Sequence, residues 1–88
     1  MKKAIRLVHV IWADSSSPMD SSWHSYPAAM PEVLKCESIG WLVAETKSAL
    51  LIAGHVSHGA ADGSVNQFSG EMTIPKSAVV RLRKIKDF

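Results

Sequence analysis

Eighty-eight residues hold a single cysteine, a single tyrosine and two phenylalanines. One cysteine excludes a disulfide scaffold. No apolar run approaches the roughly 20 residues that span a bilayer as a helix, which excludes a transmembrane helix, and no membrane partner is expected. Glycine and proline number only five and four, too few for a collagen-like or low-complexity chain. Against these shortages stand 47% hydrophobic residues and three tryptophans among six aromatic side chains. Disordered chains are poor in those residue types. The composition is that of one small globular domain over residues 1–88. A domain this size buries only about 60–65% of its unfolded surface, so its stability is expected to be modest or shared with partner subunits.

The net charge of +2 conceals an uneven arrangement. Lys2, Lys3 and Arg6 open the chain, and Lys76, Arg81, Arg83, Lys84 and Lys86 crowd its end against Asp87. Between them, seven carboxylates face only Lys35 and Lys47. If the two ends meet in space, they form one basic stripe on an acidic body. Met1-Lys2-Lys3 before an apolar stretch has some likeness to a signal peptide. Arg6 and His9 interrupt that stretch and no small-residue cleavage site follows, so a cytoplasmic location is expected.

Residues 4–12, Ala-Ile-Arg-Leu-Val-His-Val-Ile-Trp, are rich in β-branched and aromatic types and read as a strand apolar on both faces. The stretch 13–32 changes character. Its serines compete for backbone hydrogen bonds and Pro18, Pro27 and Pro31 remove donors, so it reads as a long irregular loop with one helical turn at Ala28-Ala29-Met30. Residues 34–45 alternate as a second strand in which Gly40 marks a bulge or a close backbone approach. After a tight turn at Glu45-Thr46-Lys47-Ser48, residues 49–56 return as a third strand. A polar, glycine-bearing loop over 55–67 follows, then a fourth strand over 68–74 that stops at Pro75. The tail fits either a helix stripe (Ala78, Leu82, Ile85) or a strand; a short turn over 75–78 and a fifth strand agree better with Val79-Val80 and the Val80/Leu82 alternation. Five short strands with one tight hairpin and two long loops predict an all-β fold, a small SH3-like or Sm-like barrel. In such barrels first and last strands commonly lie side by side, which would bring Lys3 and Arg6 near Arg81 and Arg83.

Val10-Ile11-Trp12-Ala13-Asp14, Trp23, Cys36-Glu37-Ser38-Ile39-Gly40-Trp41-Leu42, and Ile74-Pro75 with Val79-Val80 form a spaced pattern. It resembles a group of small proteins from tailed phages and prophages, with their Trp-x-Asp first strand, Ser-x-Gly-aromatic-Leu second strand and Ile-Pro before the last strand. The group is similar in size to phage proteins that sequester nucleotide immune signals as oligomeric sponges. That likeness implies, by analogy, a counter-defence protein of the bacterial host's cytoplasm.

The candidate chemistry is thin in catalytic motifs. His55-x-x-His58 followed by Asp62 has a metal-like look, but strand residues three apart point to opposite faces, and ordinary loop histidines are the better reading. Asp20, Ser22 and His24 supply triad elements without a Gly-x-Ser-x-Gly elbow, on a poor platform for one, and Cys36 reads as a small core residue. No catalytic residue, metal or cofactor is therefore expected. Phosphate-loop motifs are missing too, although backbone amides around Ser57 and His58 suit an anion nest.

Trp23-His24-Ser25-Tyr26 is the sharpest local feature. Two aromatics and a histidine on a polar loop suit stacking on a base or gripping a protein, each stack being worth roughly 1–3 kcal/mol. The alternative is that Trp23 folds back as a lid on an undersized core while Tyr26-Pro27 shapes the turn. In the leading reading Trp23, His24 and Tyr26 meet a nucleotide's base, and Ser57, His58, Arg81 and Arg83 hold its phosphates at a homo-oligomer interface. A host-protein adaptor using the 13–32 loop is the alternative. An Sm-like nucleic-acid binder is a further one, which the acidic body opposes.

Overall fold

The computed structural model describes residues 5–15, 22–27, 30–59 and 61–85. The expected helical turn at Ala28-Ala29 falls outside them. The described chain forms five strands: β1 (Arg6–Asp14), β2 (Leu34–Glu45), β3 (Ala49–Ser57), β4 (Gln67–Pro75) and β5 (Val79–Lys84). They make one antiparallel sheet in the order β4-β3-β2-β1-β5. A single 3-10 turn over Lys76–Ala78 joins the last two strands. That turn follows Pro75, which cannot donate to a ladder, and it resolves the ambiguous tail in favour of a strand. Among the described residues no helix is long and apolar enough to cross a membrane.

The β2–β3 hairpin is closed by its turn residues. Thr46 N–H donates to the Ala49 carbonyl at 2.9 Å, and Thr46 Oγ1 accepts from the amides of Ser48 and Ala49 at 3.3 and 3.1 Å. A threonine side chain that binds the backbone two or three residues on is the usual chemistry of such a turn. Lys76 N–H then donates to the Ser48 carbonyl at 2.8 Å, and its Nζ meets Glu45 at 2.7 Å. The link between β4 and β5 is thereby tied to the hairpin turn. The lysine beside Glu45 holds that carboxyl below the ordinary glutamate range, by hydrogen bond first and by charge second.

Strand order and linker length together require curvature. β4 and β5 are opposite edges of the sheet, and laid flat they would stand about 19 Å apart. Three residues of 3-10 turn connect them, a rise of only about 6 Å. The sheet must therefore curl at that corner, and the turn accordingly touches β1. Val8 and Val10 of β1, Leu50 and Ile52 of β3 and Ile74 of β4 form the core on the concave face. Trp12, Leu42 and Val79 pack against it. The sheet is curled but open, since no ladder joins β4 to β5 among the described residues.

Two irregularities shape it. Between Leu42 and Ala44 the β2–β3 register slips by one residue, a bulge at Val43. A second slip between Ile11 and Trp12 lets Val79 reach the core while Val80 stays exposed on β5. Gly40, expected to be a bulge or a close approach, is the latter. A Cβ there would stand 2.9 Å from the Ala53 carbonyl oxygen, nearer than real Cβ atoms come.

Candidate ligand-binding site

The aromatic segment lies in the β1–β2 connection, where Pro27 and Pro31 leave too few donors for a ladder. Trp23 is 100% exposed and Tyr26 93%. The lid alternative fails on that observation, because a side chain wholly in solvent covers no core. His24 and Ser25 are exposed beside them. The indole and the phenol thus both stand in water.

Ser57 and His58 sit where β3 runs into the loop over residues 58–66. The Ser57 carbonyl accepts from Asn66 N–H at 2.9 Å, and Asn66 Oδ1 accepts from Gly59 N–H at 3.0 Å. His58 Nδ1 is 3.0 Å from the Gly63 carbonyl. A carbonyl only accepts, so Nδ1 carries the proton in this contact. Asp62 Oδ1 accepts from the Ser64 amide and hydroxyl at 3.0 and 2.6 Å, and Gly63 supplies the left-handed φ of +79° that the turn requires. This loop satisfies itself locally, which makes it a formed surface.

Beside it lies a shallow depression of about 550 Å³, lined by His55, Val56, Ser57, Gln67, Phe68 and Ser69. Its volume falls in the range of small-ligand sites. Ser57 was among the expected ligand residues; His55 and Phe68 were not. The Val56–Phe68 cross-strand pair places the ring there, and the only sequence signal for it was an aromatic at the start of the fourth strand.

The basic residues divide. β1 and β5 do lie side by side, and Arg83 and Arg81 stand opposite His9 and Ile11. Arg6 shares the alternation of Val8 and Val10, so it belongs to the other face, as does Lys84 opposite Val8. Lys3 falls outside the described residues. The single basic stripe expected from the charge pattern is thus split by strand alternation into two faces. On the arginine face, Arg83 donates to His9 Nδ1 at 3.4 Å. His9 Nε2 is 2.9 Å from Glu37 Oε1. An arginine can only donate, so Nδ1 accepts and Nε2–H points to the carboxylate. Three strands are cross-linked by this one imidazole.

The expected site residues therefore fall into three groups: the β1–β2 connection, the end of β3, and the β5 edge. Two strands stand between the second and the third. One chain does not gather them into one pocket. Among the described residues no group of three or more metal-binding side chains is assembled. Asp20 falls outside the described residues. Cys36 lies mid-strand opposite Trp12, and is half-buried.

No family model, curated protein or solved structure matches the chain. The arrangement of the side chains themselves must carry any functional reading.

Proposed function

We propose that this chain is a non-enzymatic binding protein of the small tailed-phage type, which withholds a nucleotide signal of host defence in the bacterial cytoplasm. The observation that supports it is the complete exposure of Trp23 with Tyr26 three residues away. In this reading the two rings stack on a base, while the formed loop at Ser57 and His58, with Arg81 and Arg83, holds phosphates. Because the three groups are apart in one chain, a homo-oligomer completes the pocket, with one copy supplying the aromatic segment and another the basic edge. The curled sheet, with β5 beside β1 and a 3-10 turn before it, favours the SH3-like or Sm-like barrel as the underlying architecture.

The test is to denature the purified protein and look for released nucleotides, then to screen cyclic and linear nucleotides by thermal shift. A nucleotide that co-purifies, or raises the melting temperature of the wild type and not of Trp23→Ala, supports the reading. No release and no shift across a broad panel removes it. The same exposed tryptophan favours one second reading, an adaptor that docks on a host protein. That reading expects a stoichiometric partner lost on Trp23→Ala and no bound small molecule. Nucleic-acid binding through Arg81 and Arg83 would be set apart by affinity that falls steeply with salt.

A further inference from the structure

Residues 34–39 of β2 pair with β1 along one side only. β3 joins β2 at Trp41 and beyond and already presses on Gly40 through Ala53, so among the described residues the unpaired side of β2 is that of residues 34–39. An edge of this kind presents a row of backbone donors and acceptors to solvent, and proteins usually blunt it with proline, a bulge or several lysines. Residues 33–39 contain one lysine and no proline, and from Leu34 onward their ladder with β1 is unbroken. The same stretch leaves apolar side chains in water: Val33 is 70% exposed, Leu34 53% and Ile39 63%.

We propose that this edge pairs antiparallel with the same edge of a second copy of the chain, about a two-fold axis at Cys36. It deepens the oligomeric part of the reading above and does not depend on the nucleotide. Charge selects the register. With the axis at Cys36, Lys35 stands opposite the partner's Glu37 and Glu37 opposite the partner's Lys35. Moving the axis by one residue toward the N-terminus sets Lys35 against its own copy, and moving it the other way sets Glu37 against its own copy. Like charges directly opposite are destabilising in a sheet, and opposite charges are favourable. The favoured register also places Val33 opposite the partner's Ile39, covering two of the exposed apolar side chains at each end. Glu37 already accepts from His9 through Oε1, and a carboxylate has a second oxygen for a lysine.

The overlap has the right length. Residues 33–39 run about 23 Å as a strand and stop before Trp41, where β3 takes over the edge. The entering strand thus displaces nothing already paired. The interface is isologous, so it closes as a dimer and leaves no free copy of this edge.

Sedimentation or light scattering over a concentration series tests the proposal on the full chain, with far-UV circular dichroism to verify folding. Wild type associates as a dimer. Lys35→Glu and Glu37→Lys each weaken it by about ten-fold or more, because both cross-strand pairs turn repulsive. An equimolar mixture of the two variants re-associates, since opposite charges then face each other at both positions. Should Glu37→Lys fold poorly for want of its His9 contact, a short bis-maleimide serves instead: it joins Cys36 to Cys36 in wild type, and joins far less in Lys35→Glu. A monomeric wild type at high micromolar concentration, single variants that associate as tightly as wild type, or Cys36 thiols that never cross-link each overturn the proposal. A dimer without released nucleotide leaves the proposal standing and removes only the ligand; released nucleotide from a monomer does the reverse.

Discussion

β2 lives in two environments, and its sequence differs accordingly. At Trp41 and Leu42 it has β1 on one side and β3 on the other, and both apolar side chains are partly buried. Over residues 34–39 it has β1 alone and reads Leu-Lys-Cys-Glu-Ser-Ile, alternating polar and apolar. A strand paired on both flanks loses more water than one paired on a single flank, and charge there would cost more. A strand with one open edge keeps water beside it and tolerates Lys35 and Glu37. Between the halves stands Gly40, where the two strands approach too closely for a side chain. One strand thus joins a doubly paired segment, whose Leu42 packs against the core, to an exposed open edge.

The largest expected effect breaks the core against which the doubly paired segment of β2 packs. Ile74 is fully buried against Leu50 on the concave face, and Ile74→Ala removes apolar contacts and leaves a cavity. Urea unfolding should show a loss of about 2–5 kcal/mol, enough to unfold much of so small a domain. A loss below roughly 1 kcal/mol would mean that this face is not the core. Next comes the junction. Gly40→Ala forces a Cβ against the Ala53 carbonyl oxygen, with an expected loss of about 1–3 kcal/mol, whereas Gly54→Ala meets nothing nearer than 4.0 Å and should be nearly neutral. Equal effects at both glycines would deny that β2 and β3 are pressed together there.

Smaller effects sharpen the contrast. Ile39→Ser in the open half should change the unfolding free energy measured at low protein concentration by no more than about 0.5 kcal/mol, while it reduces self-association at high concentration. A loss like that of Ile74→Ala would show Ile39 to be core. The smallest effect is at the hairpin end. Lys76 lowers the Glu45 pKa, so the stability this pair adds is present above the ordinary glutamate pKa and is lost as pH falls through the depressed one. A carboxyl titration followed by NMR should place the Glu45 midpoint below the ordinary glutamate range, and Lys76→Met should return it to that range.

Much of the fold was readable before any coordinates. The alternation over 34–45 and the turn after it placed β2 to the residue, and β3 and β4 each end within one residue of expectation at either limit. β1 is displaced two residues from the expected 4–12: it begins at Arg6 and runs on to Asp14, because Ala13 and Asp14 pair with Lys35 and Leu34 in a ladder that needs no apolar side chain. The bulge at Val43 left no trace in residue type; a bulge of this kind is backbone geometry imposed by curvature. Of the candidate site, the aromatic segment was visible as a cluster, yet its exposure was not. Nothing in Trp23 itself distinguishes a lid from a side chain standing in water. The basic stripe misled because sequence counts charge, whereas strand alternation sends Arg6 and Arg83 to opposite faces.

The sequence alone determined the all-β character, the number of strands and the place of the turns, since those follow from local alternation and from where proline and glycine interrupt it. Which strands become neighbours, where the sheet curls and which half of β2 keeps an open edge were decided only in three dimensions. Those outcomes depend on pairings between residues up to seventy-six positions apart, as at Val8 and Lys84. A local pattern is blind to them, because the free energy that fixes them is gained only when distant strands bury one common face.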